Sequence, residues 1–275
     1  MSSAPLVAFR DVEKSYFPTG KPRFIAVENF TLDVADGEFF CLLGPSGCGK
    51  TTVLNMLAGF EAPTSGTIEM DGVAITAPSR DRGVVFQGDD SLYGWLTARE
   101  NVEFGPRLSG VSAGERREIA TRYLELVGMR AQSEKRPHEL SGGMKQRTQI
   151  ARVLANEPKM LLMDEPFAAL DAQTRRVLQQ ELVKIWQATR KSVLFITHDI
   201  DEAIILGTRI GVMTAGPAAR LKEVIVVDES VGHDRRHPSF MEFFKIIHAL
   251  IEEEVNKTLL REQDTQSSSV GGTQA

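Results

Sequence analysis

The sequence predicts an α/β fold in which a sheet of short apolar strands is interrupted by a block of helices. Short apolar runs typical of buried strands occur at 38–43, 83–86, 160–163 and 192–197. Each run leads directly into glycine or polar residues, as strands do at the ligand-binding edge of a parallel sheet. Between 87 and 158 the pattern changes to helices with capping signals. We therefore expect one sheet domain with a mostly helical part inserted into it.

The composition limits the classes of protein to which the chain can belong. Its 275 residues are 42% hydrophobic and 25% charged, as in ordinary globular proteins with a buried core. A net charge of −5 offers no basic face, so we predict no nucleic-acid partner. The two cysteines, Cys41 and Cys48, suggest neither a disulfide nor a zinc site, which favours a reducing compartment. Because no apolar run approaches the length of a membrane span and no signal sequence is visible, we expect a cytosolic protein.

The elements can be assigned in chain order from periodicity and turn signals. Strands are expected at 6–12, with Tyr16 near its end, and at 26–34, 38–43, 67–72 and 83–86, with a helix at 53–58. Thr97 with Glu100, and Ser112 with Glu115, have the spacing of a capping box, so each pair predicts a helix start. The remaining expected elements are helices at 141–155, 172–189, 201–206 and 238–260, a strand at 192–197, and a β-ribbon at 209–213 and 221–227.

The chemistry centres on a glycine-rich turn between the strand at 38–43 and the helix that follows it. Its nine residues are Gly44, Pro45, Ser46, Gly47, Cys48, Gly49, Lys50, Thr51 and Thr52. They fit the phosphate-loop pattern G-x-x-x-x-G-K-[ST] in full. The glycines let successive N–H groups point at one phosphate, and the helix dipole adds to the attraction. Lys50 can reach the β- and γ-phosphates and Thr51 can hold Mg²⁺, which predicts a nucleoside triphosphate site.

Polar residues follow the other apolar strands and are expected at the same edge of the sheet. Asp164 closes the strand at 160–163 and supplies the carboxylate that nucleotide-bound Mg²⁺ requires. Glu165 could be a surface acid that begins a turn, but two acids that end a buried strand favour a catalytic role, activation of water. His198 and Gln87 end two further strands, and Gln87 could contact both metal and water.

A second helix start has the features of an anion site. Ser141 is a capping serine, and Gly142 and Gly143 leave backbone N–H groups accessible. The chain therefore offers two phosphate-binding helix ends, at Gly49 and at Ser141. These residues leave open whether the two ends meet within one chain or between two chains.

Together these segments closely resemble the ATP-binding cassette ATPases over roughly residues 6 to 228. The matching segments, in order and spacing, are 44–52, Gln87, 140–147, 161–166, 169–171 and 197–199. The resemblance implies a P-loop NTPase fold: a RecA-like sheet core, an antiparallel β subdomain and an inserted α-helical subdomain at about 88–158. It implies an ATPase domain at 1–232, to which we add a helical extension at 233–262 and a disordered tail at 263–275.

The family also implies a role for each matching residue. Tyr16 would stack on adenine, and Lys50 would hold phosphates. Glu165 would be the general base, and His198 would contact the γ-phosphate. The remaining implied roles are Mg²⁺ binding by Thr51 with Asp164, sensing of the γ-phosphate by Gln87, binding of the partner's ATP by Ser141 and Gly143, and communication across the interface by Asp171.

Within the family, segments 81–87, 137–140, 164–167 and 193–203 are similar to the nitrate/sulfonate/taurine importer branch. Two features depart from that branch: segment 91–95 is one residue longer than its usual Leu-Leu-Pro-Trp, and Ala168 stands where glycine or serine is common. The resemblance implies an energy-coupling ATPase, a homodimer that sandwiches ATP at the inner face of the membrane. Its partners would be separate permease subunits and a solute-binding protein.

Two other functions remain to be weighed against transport. A soluble cassette ATPase in translation or DNA repair would usually carry two cassettes, a coiled-coil arm or zinc cysteines. The interval between Lys50 and Ser141 is too short for such an arm, and the acidic charge counts against nucleic acid. A regulator that binds nucleotide without hydrolysis is disfavoured because Glu165 and His198 are both present.

Overall fold

The computed structural model describes residues 4–20, 22–86, 91–228 and 234–270, with side chains described as far as 257. Its strands are β1 (Val7–Tyr16), β2 (Phe24–Val34), β3 (Phe39–Leu43), β4 (Ser65–Met70), β5 (Val73–Ala74), β6 (Arg82–Val85), β7 (Met160–Asp164), β8 (Ser192–Thr197), β9 (Arg209–Met213) and β10 (Leu221–Val226). Its helices are α1 (Lys50–Ala58), α2 (Ala98–Leu108), α3 (Ala113–Leu126), α4 (Gly142–Leu154), α5 (Ala172–Thr189), α6 (Ile200–Leu206) and α7 (Phe240–Val270).

The larger sheet has the strand order β10-β9-β3-β8-β7-β6, and all pairs except β10–β9 are parallel. Its strands are apolar on both faces, as expected when helices or a second sheet cover each side. In β3, Phe39 and Cys41 point into the core beneath the helical part, whereas Phe40 and Leu42 point into a second core. Because side chains alternate along a strand, one apolar run supplies both cores.

The second core joins the larger sheet to a smaller antiparallel sheet with the order β2-β1-β4-β5. Helix α1 lies between the two sheets, and its buried side chains include Val53, Leu54 and Leu57. Phe9 and Phe30 of the small sheet pack edge to face, with ring centroids 5.2 Å apart. The phosphate loop at the start of α1 is therefore held between two sheets. The predicted antiparallel β subdomain and sheet core are confirmed.

The helical part contains α2, α3 and α4. At the start of α2, Thr97 and Glu100 form the complete predicted capping box, whereas Ser112 caps α3 through its own hydroxyl only. Asn101 is fully buried, and its side-chain amide donates to the backbone oxygens of Tyr93, Leu96 and Thr97. The Asn101 side chain thus anchors residues 93–97, which precede α2, to the first turns of that helix.

Helix α7 differs from the sequence prediction in length. A helix was expected to end near 260, with a disordered tail from 263, whereas α7 continues to Val270. Glycine and proline, the residues that most often end a helix, are absent from 261–270. Residues 271–275 of the predicted tail lie outside the described residues. The domain boundaries remain a prediction.

Candidate active site

The phosphate loop joins the end of β3 to the start of α1. Gly47 and Gly49 have φ angles of 76° and 90°, in the left-handed region that glycine adopts without strain. Lys50 is only 5% exposed, and its ammonium group donates to the backbone oxygens of Gly44 at 2.8 Å and Pro45 at 3.0 Å. Ser46, Gly47 and Thr51 are exposed, whereas Cys48 is buried. A charged lysine under an open, glycine-lined loop can bind an anionic phosphate chain.

Two oxygen-bearing side chains lie next to this loop. Asp164 ends β7 and is half-buried, and the Thr51 hydroxyl hydrogen-bonds its carboxylate. Burial raises the pKa of Asp164, and Glu165 acts in the same direction, against the opposing effects of Thr51 and Lys50. A partly desolvated carboxylate beside a hydroxyl provides hard oxygen ligands, which are those that Mg²⁺ prefers. These two residues therefore fit the predicted metal site.

Glu165 and His198 form a pair at the ends of adjacent strands. The Glu165 carboxylate lies 3.1 Å from Nδ1 of His198, and the Glu165 backbone N–H donates to Ile196 of β8 at 3.0 Å. The Glu165 φ is 42°, a left-handed conformation that a side chain with a Cβ adopts at a cost of about 1–2 kcal/mol. Such strain tends to occur at functional sites, where surrounding structure enforces it. Glu165 thus combines a strained backbone with a carboxylate that lies against the histidine ring.

Tyr16 lies at the end of β1, beside the first turn of α1. Its hydroxyl donates to Glu61 at 2.8 Å, and the Thr52 side chain also hydrogen-bonds it. Burial and the Glu61 carboxylate raise the pKa of Tyr16. The Lys14 ammonium lies 5.2 Å from the ring centroid. The structure thus places the Tyr16 hydroxyl beside Thr52, the last residue of the phosphate loop. Stacking of the Tyr16 ring on adenine stays a prediction.

Ser141, Gly142 and Gly143 lie at the start of α4, where the exposed Ser141 hydroxyl accepts from the Met144 N–H at 3.4 Å. Gly143 is buried against α5, and a Cβ at this position would lie only 2.8 Å from the Thr174 methyl. Asp171 caps α5 by accepting from the Gln173 and Thr174 N–H groups, each at 3.0 Å. Among the described residues, no hydrogen bond or ion pair connects Ser141 or Gly143 with the phosphate loop.

Gln87 lies outside the described residues; the structure describes the chain before it as far as Phe86, which directly follows β6. Phe86 is 47% exposed and stacks on Phe60, with ring centroids 6.1 Å apart. The expected position of Gln87 at this edge of the sheet therefore stays a prediction.

Glu202, to which the sequence alone assigned no role, hydrogen-bonds Thr197, the residue before His198. Glu202 is 4% exposed; its carboxylate accepts from the Thr197 hydroxyl at 2.7 Å and from the Gln179 amide at 3.1 Å. Its backbone N–H donates to Asp199 at 3.1 Å. Burial raises the pKa of Glu202, and the hydrogen bonds that its carboxylate accepts from Thr197 and Gln179 act in the opposite direction. The spacing Asp199-x-x-Glu202 matches a helix cap, which is the signal that could have revealed it.

Comparisons with known proteins agree with this geometry. The family model described as ABC transporter matches residues 27–168. The nitrate import ATP-binding protein NrtD of Synechococcus elongatus is 48% identical over 77% of each chain. The taurine import ATP-binding protein TauB of Jannaschia sp. is 44% identical over 84% of this chain and 89% of its own.

A solved structure agrees as well. It is a dimeric ATP-binding cassette in a post-hydrolysis state with ADP and phosphate, and it is 33% identical to this chain. The two superpose with a TM-score of 0.69 over 81% of this chain and 99% of that one. Fold, phosphate loop, acid pair and family match lead to one assignment: this chain belongs to the ABC transporter family and is one of its ATP-hydrolysing cassettes.

Proposed function

We propose that the chain is the energy-coupling ATPase of an importer for a small anion of the nitrate, sulfonate or taurine type. Support comes from relatives named for nitrate and taurine import, which align with more than three quarters of this chain. Those names favour transport over the alternative, a soluble cassette ATPase in translation or DNA repair. Among the described residues no helix combines the length and apolarity needed to cross a membrane.

The observation that carries the catalytic proposal is the strained Glu165 beside His198. Glu165 takes the proton from the water that attacks the γ-phosphate of ATP, and His198 orients Glu165 and contacts the γ-phosphate. Lys50 binds the phosphates together with the backbone N–H groups of 44–52. In this arrangement the base and the phosphate-binding residues come from different strands that end at one edge of the sheet.

Magnesium is part of the proposal through three residues. Thr51 and Asp164 would hold the ion, with Gln87 as a further ligand. A Mg²⁺ ion held there would supply positive charge against the charge that develops on the phosphates during hydrolysis. Removal of divalent cations should therefore abolish turnover even when ATP is saturating.

The nucleotide site is proposed to be shared between two copies of the chain. Tyr16 stacks on adenine in one copy, and Ser141 and Gly143 of the other copy bind the γ-phosphate from the opposite side. Ser141 is exposed, and its hydroxyl accepts from Met144 of its own helix, which leaves this helix end accessible to a second chain. Asp171, which caps the helix packed under Gly143, would pass changes between the two sites.

The membrane partner is proposed to dock in a groove between β6 and the helical part. This groove has a volume of about 790 Å³, and its lining includes Phe86, Tyr93, Phe104, Leu108 and Arg152. Leu108 is 75% exposed, and the nearby Trp95 is 70% exposed. Exposed aromatic and apolar side chains beside an arginine are typical anchors of protein interfaces.

The remaining parts of the proposal follow from the family. The domain at 1–232 would hydrolyse ATP, with the helical subdomain at about 88–158 contacting the permease. Segment 233–262 would be an added helical extension, and its helix continues to Val270. The chain would lie in the cytoplasm at the inner face of the membrane, below permease subunits and with a solute-binding protein on the other side.

Reconstitution tests this function. The chain and its permease subunits are placed in liposomes with the solute-binding protein outside, and ATPase activity is measured with nitrate, taurine or an alkanesulfonate. We expect one of these anions to stimulate hydrolysis and to accumulate inside, and Glu165→Gln to abolish both. Stimulation by ribosomes or DNA, with none by any solute, would instead support the soluble alternative.

A further inference from the structure

The loop between β9 and β10, residues 214–220, lies directly behind the phosphate loop. A Cβ added to Gly216 would be 3.2 Å from the backbone oxygen of Gly47 and 3.8 Å from the Cys48 Cα. A Cβ added to Gly44 would lie 3.1 Å from the Met213 Cβ, just before the same loop. No room therefore remains between this loop and the backbone that binds phosphate.

On one side the 214–220 loop is fastened to β2 by backbone hydrogen bonds. The Ala218 N–H donates to Ile25 at 2.7 Å, and the Ala219 N–H donates to Ala26 at 3.2 Å. Strand β2 itself contacts the phosphate loop, because a Cβ on Gly49 would lie 2.8 Å from a methyl of Val27. The 214–220 loop and β2 thus form one wall behind Gly47 and Gly49.

On its other side the loop is fastened to the C-terminal helix α7. Glu254 of α7 accepts a hydrogen bond from the buried Ala215 N–H at 3.0 Å. The Glu254 side chain is 3% exposed, and it also accepts from Lys222 at 2.7 Å and Lys257 at 2.8 Å. A carboxylate is buried in this way only when charge and hydrogen bonds compensate its loss of water.

The charge of Glu254 is fixed by its surroundings. Burial raises its pKa, but the hydrogen bonds from Lys222, Lys257 and Ala215 outweigh burial and hold the pKa at about 2. The carboxylate is therefore ionised throughout the physiological range and available as a hydrogen-bond acceptor. Lys222 also donates to the Leu250 backbone oxygen at 3.2 Å, which ties β10 to the same turn of α7.

We propose that Glu254 is a positioning residue for the ATPase: through Ala215 it holds the 214–220 loop against Gly47 and keeps the phosphate loop in its ATP-binding shape. The backbone N–H groups of the phosphate loop bind phosphate only while they converge, so a small shift of their support lowers affinity. The C-terminal helix thereby acts on nucleotide binding from outside the nucleotide site.

The test compares Glu254→Ala with a matched control, Glu253→Ala. Glu253 also pairs with Lys222 and Lys257, both at 2.7 Å, but its side chain is 54% exposed. The ATP dissociation constant is measured on the full-length chain, and KM and kcat on the complete transporter. We expect Glu254→Ala to raise the dissociation constant and KM by roughly tenfold, the equivalent of one ordinary hydrogen bond. Glu253→Ala should leave both unchanged.

Glu254→Gln separates positioning from general stability, because it keeps an oxygen acceptor for Ala215 and loses the charge. It should restore ATP affinity to within about twofold of the original chain, even though its melting temperature falls with the lost ion pairs. If Glu254→Ala lowers the melting temperature and leaves ATP affinity unchanged, Glu254 is merely structural and the proposal is wrong.

Gly216→Ala tests the contact between the 214–220 loop and Gly47 directly. This variant tests the proposal even if Glu254→Ala does not fold. The added methyl would press on the Gly47 oxygen, so ATP affinity should fall. Gly114→Ala is its control, because no atom lies within 4 Å of the position of a Cβ there. Unchanged affinity in Gly216→Ala would overturn the proposal.

Discussion

The amino ends of α1 and α4 look alike in sequence and differ in structure. Helix α1 follows Gly49 and helix α4 follows Ser141, and both helix ends are predicted from the sequence as anion sites. Helix α1 begins after Gly49, which has no side chain to cap it, so the first N–H groups remain available to a ligand. Helix α4 begins after Ser141, and the Ser141 hydroxyl accepts a hydrogen bond from the Met144 N–H. Ser141 itself is exposed.

Their surroundings differ as well. The end of α1 contains the buried Lys50, with Asp164 and the Glu165–His198 pair on neighbouring strands. The end of α4 borders a pocket of about 320 Å³ lined by uncharged groups such as Gln173 and Thr174, with Arg147 as its charged member. We infer that the first end is a catalytic site and the second is half of a site, completed only by another molecule's phosphate.

The second end is also connected to the groove proposed for the membrane partner. At the far end of α4, Arg152 donates to the Ser91 backbone oxygen at 2.6 Å and lies 5.7 Å from the Tyr93 ring centroid. A helix of 13 residues therefore spans from Ser141 to the segment at 91–95. Movement imposed at the groove would be transmitted to Ser141 by a rigid element, whereas the end of α1 is fixed between two sheets.

The largest effect on the isolated chain is expected from Glu165→Gln. Glutamine keeps the shape and cannot accept the proton, so turnover should fall by roughly 10²–10⁴-fold with ATP binding intact. Glu157→Gln is a matched control, because Glu157 also has a positive φ, 50°, but lies on the surface in a pair with Arg122. Steady-state phosphate release measures both, and turnover of Glu165→Gln within threefold of the original would refute the assignment of the base.

Lys50→Ala should act on binding at the same end. Loss of a charge-assisted contact of about 1.5–3 kcal/mol corresponds to a drop in ATP affinity of roughly 10- to 150-fold. The counterpart in the first turn of α4 is Lys145, and Lys145→Ala should not change the affinity of the monomer. Calorimetric titration of both variants tests the comparison directly. If both variants lost ATP affinity equally, the ends of α1 and α4 would both contribute to the ATP site of the monomer.

Ser141→Arg should affect association and leave the monomer's site nearly intact. In a Glu165→Gln background ATP persists, so the chain should dimerise with ATP and dissociate with ADP. Arginine at 141 places bulk where the partner's γ-phosphate would contact α4, and the ATP dimer should be lost. Sedimentation with each nucleotide measures this. A double variant that still dimerises, or that loses ATP binding as a monomer, would place Ser141 in its own chain's site.

Much of this structure was predictable, because its signals are local. The phosphate loop, the polar strand ends and the helix caps at Thr97 and Ser141 are short patterns whose geometry follows from backbone chemistry. Long-range partners were not predictable in the same way. Nothing in the sequence links Glu254 to Ala215, which are 39 residues apart, or places Gly216 behind Gly47.

Exposure within one short segment was equally hard to predict. Leu92, Tyr93 and Trp95 stand within a stretch of four residues, and no local sequence pattern distinguishes their exposure. In the structure Leu92 is buried with 7% of its surface exposed, Tyr93 is half-buried, and Trp95 is 70% exposed. The difference arises because Asn101 binds the Tyr93 backbone and fixes which side chains point inward. Only Trp95 and part of Tyr93 are left for a partner.

The smallest effect on the isolated chain is therefore expected from Trp95→Ala. An exposed side chain changes the free energy of unfolding by no more than about 0.5 kcal/mol when it is removed. Leu92→Ala, three residues earlier, should cost about 2–5 kcal/mol because it empties a packed position. Denaturant unfolding of the two variants distinguishes a surface tryptophan from a buried leucine within the same segment.

Trp95→Ala should nevertheless weaken capture of the permease subunits, because the segment at 91–95, which borders the groove through Ser91 and Tyr93, would lose its most exposed aromatic side chain. Phe17→Ala is the control: Phe17 is 71% exposed, almost the same as Trp95, but lies beyond β1 in the small sheet. Co-purification from membranes should fall for Trp95→Ala and stay unchanged for Phe17→Ala, with ATP affinity unchanged in both. If Trp95→Ala unfolds the chain instead, the tryptophan stabilises the helical part, and the segment at 91–95 is not the docking surface.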